Sequence, residues 1–84
     1  HLGAKMCVEC TWGSDIATAA ALHLAAATDP SRIQNVCDLS GYVVPRLAPT
    51  APSRAQGRIA PPDGPGLGIN IDAETLGPAD LILD

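Results

Sequence analysis

Phenylalanine is absent from the 84 residues, and Trp, Tyr and Met occur once each. A core without large rings is filled by smaller groups, here mostly alanine, which removes little area from water. At roughly 25 cal/mol per Å² of buried apolar surface, such a core is thin. Independent domains of this size ordinarily add disulfides or a metal, so the sequence reads as part of something larger. Basic charge is also scarce: five Lys and Arg against nine Asp and Glu leave a net −4. That argues against a nucleic-acid partner, which needs clustered cations. Arg46, Arg54 and Arg58 lie in Pro-rich sequence without aromatic interleaving, and a solvated loop accounts for them. No apolar run reaches the roughly 20 residues of a membrane span. The longest, Ile16 to Ala27, is interrupted by Thr18 and His23. It is not read as a signal peptide, because Glu9 and Asp15 sit where a positive region belongs. Cysteines number three, which does not suit a secreted disulfide framework, and a reduced, cytoplasmic compartment is expected.

The chain opens with Ala4-Lys5-Met6-Cys7-Val8, an apolar run ending at Glu9. That pattern suits a strand buried on both faces, as in parallel sheets, and the expected strand is Met6 to Glu9. Cys10 to Gly13 connects it to a helix expected from Ser14 to Thr28. Ser14 is a suitable N-cap, Asp15 suits the positive end of the helix dipole, and Pro30 sets the limit. Ile16, Ala20, Leu24 and Ala27 form one stripe, but Ala19, Leu22 and Ala26 make the remaining surface nearly as apolar. A helix apolar all round is a buried helix, and this chain has little with which to bury it. Six of the eight prolines fall between residues 45 and 65, marking an irregular segment. Gly64-Pro65-Gly66-Leu67-Gly68 then leads to Ile69-Asn70-Ile71-Asp72, which alternates like a short strand, and to one helical turn at Ala73–Gly77.

Each chemical motif has a plainer competitor. Cys7-Val8-Glu9-Cys10 has the spacing of a zinc knuckle or redox pair, and Cys37 and His23 would complete four ligands. Along a strand, however, positions three apart point to opposite faces. A redox pair also belongs at a helix N-terminus, where the thiol pKa falls, and the helix begins later. Ordinary buried cysteines are expected. The Gly64–Gly68 run lacks the Lys and the consecutive N–H groups of a phosphate loop, so it is read as a structural turn. His23 is read as a satisfied core or interface histidine. Asp63, Asp72, Glu74, Asp80 and Asp84 are assigned to solvent. Glu9 ends an apolar strand, where α/β barrels keep their chemistry; an ion pair at the strand end explains it as well, and the residues alone leave both open. Trp12 either packs as a lid or offers its face to a cationic ligand.

The helix Asp15–Ala27 with its His23-Leu24, and the later Pro62-Asp63-Gly64-Pro65-Gly66-Leu67-Gly68-Ile69-Asn70-Ile71-Asp72 with Leu76-Gly77, together resemble the C-terminal end of mandelate racemase and muconate lactonizing enzymes of the enolase superfamily. The resemblance implies an α/β fold, the C-terminal part of a modified (β/α)7β TIM-like barrel. Residues 1–28 would supply the last barrel strand and its helix. Residues 29–84 would form a Pro-rich excursion and short strand toward a capping domain. It also implies a racemase, epimerase, dehydratase or cycloisomerase that removes the proton α to a small substrate's carboxylate. Mg²⁺ would be held by carboxylates upstream of this chain, in a homo-oligomeric enzyme. Glu9 and Trp12 are the expected substrate-binding residues, and this piece alone is expected to be inactive. The loop Glu9-Cys10-Thr11-Trp12-Gly13 resembles the Glu-Asp-Thr-Trp-Gly loop of hydroxyproline dehydratases and betaine epimerases, with Cys10 replacing the Asp. A proline-derived substrate is favoured; an acid-sugar dehydratase, a dipeptide epimerase and a non-catalytic interaction module are the alternatives.

Overall fold

The structure is a computed structural model and describes residues 2–83. Strand β1, Met6–Glu9, leads into helix α1, Ser14–Ala27. A 3-10 turn at Pro30–Arg32 then delivers strand β2, Ile33–Cys37. Asp29 starts that turn by accepting from the Ser31 N–H at 2.9 Å, with Pro30 in the first position, where its missing N–H costs nothing. A second 3-10 turn, Leu39–Tyr42, follows β2, and helix α2, Ala73–Leu76, comes near the end of the chain.

β1 and β2 pair in parallel, Val8 opposite Val36 and Glu9 opposite Cys37, with an irregularity between Met6 and Cys7. The unit is therefore β-α-β, and both strands point their C-terminal ends to the same edge. The expected strand Met6 to Glu9 is present, and the helix ends within one residue of expectation. β2 was not anticipated; it falls within the segment 29–84 assigned to the excursion. The alternating Ile69–Asp72, conversely, forms no strand. It is held instead by a hydrogen bond from Asp72 N–H to Leu47 O at 2.6 Å. Asp72 is not merely solvated: its carboxylate starts α2, accepting from Glu74 N–H at 3.2 Å and Thr75 Oγ1 at 2.5 Å.

The core is small. Val8, Cys10, Ala19, Ala21, Leu22 and Ala48 are its buried apolar members, joined by the polar Asp15, Thr18 and Ser40. Helix α1 turns Asp15, Thr18, Ala19 and Leu22 inward, whereas the expected stripe Ile16, Ala20, Leu24 and Ala27 lies exposed. The apolar-all-round helix thus uses one face within this chain and leaves the other open.

The Pro-rich segment is tied down at two points. Asp15, 2% exposed, accepts from Arg46 Nε at 2.7 Å and from Ala48 N–H at 2.9 Å. Arg46 Nη2 also donates to Pro52 O at 3.3 Å. Arg54 pairs with Asp38 at 3.2 Å and stacks over Tyr42, 5.6 Å from its centroid. Two of the three arginines expected in free solvent are therefore structural clamps. The later turn docks through His23, whose Nε2 hydrogen-bonds Leu67 O at 3.1 Å. Glycine is required there: Gly68 has φ +74, and a Cβ would stand 2.6 Å from Asp63 O.

Candidate functional site

The C-terminal ends of β1 and β2 carry two loops, Cys10–Gly13 and the turn begun by Asp38. The first is a tight turn closed by Gly13 N–H to Cys10 O at 2.8 Å. Its central residues Thr11 and Trp12 have φ of 47 and 63, and Ser14 follows at 70. Left-handed φ is uncommon for any non-glycine residue and an outlier for a β-branched one such as Thr. Such strain persists only where surrounding contacts over-determine it. Gly13 itself is chosen for space: a Cβ would lie 2.5 Å from Ala17 Cβ. It also takes the N-cap position, with no side-chain cap. Ser14 does not cap as expected; its Oγ sits at a long 3.4 Å from Ile16 N, because its own backbone is already in the left-handed region.

The over-determining contact is Cys10. Its sulphur accepts from Leu39 N–H at 3.2 Å and from Ser40 Oγ at 3.3 Å. Thr18 Oγ1 is buried with no hydrogen-bond partner among the described residues. Burial pushes the Cys10 thiol up. Hydrogen bonding, first from the Ser40 side chain, outweighs that and brings it to about 7 from 9.0. Ser40 Oγ is also 3.0 Å from Ser14 O, yet it has a single proton to give. With Cys10 as thiolate that proton belongs to sulphur. With Cys10 as thiol, the S–H can point to Ser40 Oγ and the Ser40 proton to Ser14 O. One side chain thus stitches the strand-end loops together in either protonation state.

Burial also pushes the Asp15 carboxyl up. Arg46, through its hydrogen bond and its charge, and the N–H groups of Ala48 and Leu47 offset this and hold it below the usual carboxylate range. This residue was expected to serve the helix dipole; it anchors the tail instead.

Glu9 is exposed at the end of β1, and Trp12 is 59% exposed on the adjoining turn. The structure places the two expected substrate-binding residues on one edge, three positions apart. The cleft of about 350 Å³ nearby is lined by others, including Cys37, Asp38, Tyr42 and Arg54. Of the C-x-x-C pair, Cys10 is buried but Cys7 is exposed, contrary to the expectation that both are buried; Cys37 is half-buried. β1 turns Val8 inward and Cys7 to the open side, as strand alternation requires. Among the described residues no group of three or more His, Cys, Asp or Glu side chains could hold a metal. The residues present do not fit a resident cation. No helix among them is long and apolar enough to cross a membrane.

Sequence comparison bears on this edge. The chain is 41% identical over 75 residues to a cis-3-hydroxy-L-proline dehydratase of Roseibium aggregatum, an alignment covering 89% of this chain and 20% of that protein. The chain thus spans about one fifth of that relative's length. A family model described as enolase C-terminal domain-like matches residues 1–75. With the parallel β-α-β unit, this agrees with the α/β class read from the sequence. The chain belongs to the enolase C-terminal domain-like family of the enolase superfamily.

Proposed function

We propose that this chain is a C-terminal portion of an enolase-superfamily dehydratase that removes the proton α to the carboxylate of a cyclic, proline-derived substrate. The observation that carries the reading is the 41% identity over 75 residues to a cis-3-hydroxy-L-proline dehydratase, with Glu9 at, and Trp12 just beyond, the C-terminal end of β1. In parallel α/β architectures that edge, the C-terminal end of the strands, is where substrates bind.

Glu9 offers an acceptor for a ring ammonium, and the exposed indole of Trp12 offers a π face to the same charge. Neither residue is asked to remove the proton. The base, and the carboxylates that would bind Mg²⁺, are assigned to parts of the complete protein outside these residues. When bound, that ion would stabilise the charge that develops as the α-proton leaves. The parallel pairing of β1 with β2 supports a barrel contribution running from residue 6 to residue 37. The Pro-rich segment and α2 would extend toward a capping domain. The exposed stripe Ile16, Ala20, Leu24 and Ala27 would pack against further barrel elements, in a homo-oligomer.

The test uses the complete protein with cis-3-hydroxy-L-proline as probe. Mg²⁺-dependent loss of water, abolished by EDTA, is expected. Turnover of an acid sugar or a dipeptide with none of any proline derivative would overturn the substrate class. No turnover of any carboxylate would overturn the reading as an enzyme.

A further inference from the structure

We propose that Cys10 is a positioning residue: its sulphur fixes the left-handed Thr11–Trp12 turn, and through it the pose of the Trp12 ring toward substrate. The proposal rests on the assignment of Trp12 to substrate contact made above. The fixing itself rests on geometry alone.

Three observations converge. The turn is strained at Thr11, Trp12 and Ser14, so it needs external contacts to persist. Cys10 is 2% exposed, and its sulphur is reached by two donors from the turn after β2, Leu39 N–H and Ser40 Oγ. Cys10 also closes the turn through its own carbonyl, which accepts from Gly13 N–H at 2.8 Å, so the contact acts on the turn that carries Trp12. Among the described residues no other buried side chain touches both strand-end loops through hydrogen bonds except Ser40, which reaches Cys10 Sγ and Ser14 O. Cys10 and Ser40 therefore form one unit, with Cys10 at its centre.

The chemistry asks for a large, polarisable acceptor. A sulphur accepts hydrogen bonds at 3.2–3.3 Å, longer than an oxygen does. A serine oxygen at the same place would reach the two donors less well without movement, and an alanine would reach neither. Alanine would also leave the half-buried Leu39 N–H without its partner, which is costly. The graded series Cys, Ser, Ala separates loss of acceptor from loss of volume, since Ser and Ala both remove the sulphur's bulk but only Ser keeps an acceptor.

The experiment uses the complete protein labelled with 5-fluorotryptophan, with the Trp12 resonance assigned through Trp12→Phe. In Cys10→Ala the Trp12 ¹⁹F resonance is expected to shift and broaden. In Cys10→Ser it should lie between wild type and Cys10→Ala. With cis-3-hydroxy-L-proline, Cys10→Ala should raise KM roughly five- to fiftyfold with kcat changed much less, and Cys10→Ser should recover most of the difference. Should Cys10→Ala not fold, Ser40→Ala removes one donor at less cost and should move the same resonance in the same direction. A Trp12 resonance unmoved in both Cys10→Ala and Ser40→Ala overturns the proposal. So does a lowered Tm with KM at the wild-type value, which is the behaviour of a residue that only stabilises. A resonance that moves in a protein that turns over no proline derivative overturns the functional reading and leaves the positioning role standing.

Discussion

Replacing Asp15 with alanine in the complete protein should release the Pro-rich segment from the start of α1. Asp15 is 2% exposed; its carboxylate accepts from Arg46 Nε and the Ala48 amide and forms an ion pair with Arg46 Nη2. Removing one partner of a fully buried pair costs about 3–5 kcal/mol. Here the Arg46 side chain is 32% exposed, so its freed charge rehydrates, and the lower end, about 3 kcal/mol, is the better figure. Most of that is the Ala48 amide, buried and left without an acceptor, at about 1–3 kcal/mol. Since 1.4 kcal/mol is a factor of ten, amide exchange at Ala48 and its neighbours should quicken by about a hundredfold. Asp15→Asn keeps an oxygen for Ala48 and should lose roughly half as much free energy. The pH dependence has a definite sign. Asp15 is held below its ordinary value, so its contribution is complete above the unfolded pKa of about 3.9 and fades as pH falls through the lower folded value. Wild-type protection of residues 46–48, corrected for intrinsic exchange, should therefore drop below about pH 4, and that of Asp15→Asn should not. Hydrogen exchange read by mass spectrometry measures both. Unchanged exchange at Ala48 in Asp15→Ala would refute the claim that this carboxylate holds the tail.

Other consequences are as definite. Cys10 is lowered to about 7, so its stabilising effect is full above the unfolded thiol value and is lost as pH falls through 7; the Tm gap between wild type and Cys10→Ser should widen from pH 7 to pH 9, by at most about 2–3 kcal/mol, and a constant gap would contradict the donor cluster. Trp12→Leu should weaken binding of a quaternary-ammonium proline derivative by roughly two- to thirtyfold, and binding of an uncharged analogue much less; equal losses in titration calorimetry would make Trp12 a packing residue only. Gly68→Ala, forced into φ +74 and against Asp63 O, should lower Tm by an amount equivalent to about 1–3 kcal/mol and speed exchange around Leu67, which His23 holds. The isolated 84-residue chain should show no turnover of a carboxylate with Mg²⁺, because its described residues hold no ligand cluster.

Local signals and non-local ones fared differently. β1 was legible because Met6-Cys7-Val8 is a continuous apolar run, and α1 because Pro30 and the Gly13-Ser14 boundary bracket it. β2 was not: Ile33-Gln34-Asn35-Val36-Cys37 neither alternates nor runs apolar, and it is a strand only because β1 lies beside it. Ile69–Asp72 shows the reverse, an alternating pattern that pairs with no strand among the described residues. The placement of Glu9 and Trp12 on one edge followed from the strand end. The Asp15–Arg46 clamp, 31 residues apart, left no trace in local pattern, nor did the approach of Leu39 and Ser40 to Cys10. A polar residue at a helix start reads as a cap until the fold shows what comes down upon it.

With Trp12 in the substrate-binding role proposed for it, the left-handed turn at Thr11 and Trp12 sets stability and selectivity against each other at single positions. A left-handed backbone costs an ordinary residue about 1–2 kcal/mol that glycine escapes. Any search for heat resistance alone would therefore drift toward glycine at these two sites. At Trp12 it would delete the ring outright; at Thr11 it would leave the ring on a looser tether, free to sample more directions. The most stable version of this loop is thus not the one that aims an indole, and directed evolution for robustness should be run with ligand discrimination as a second criterion.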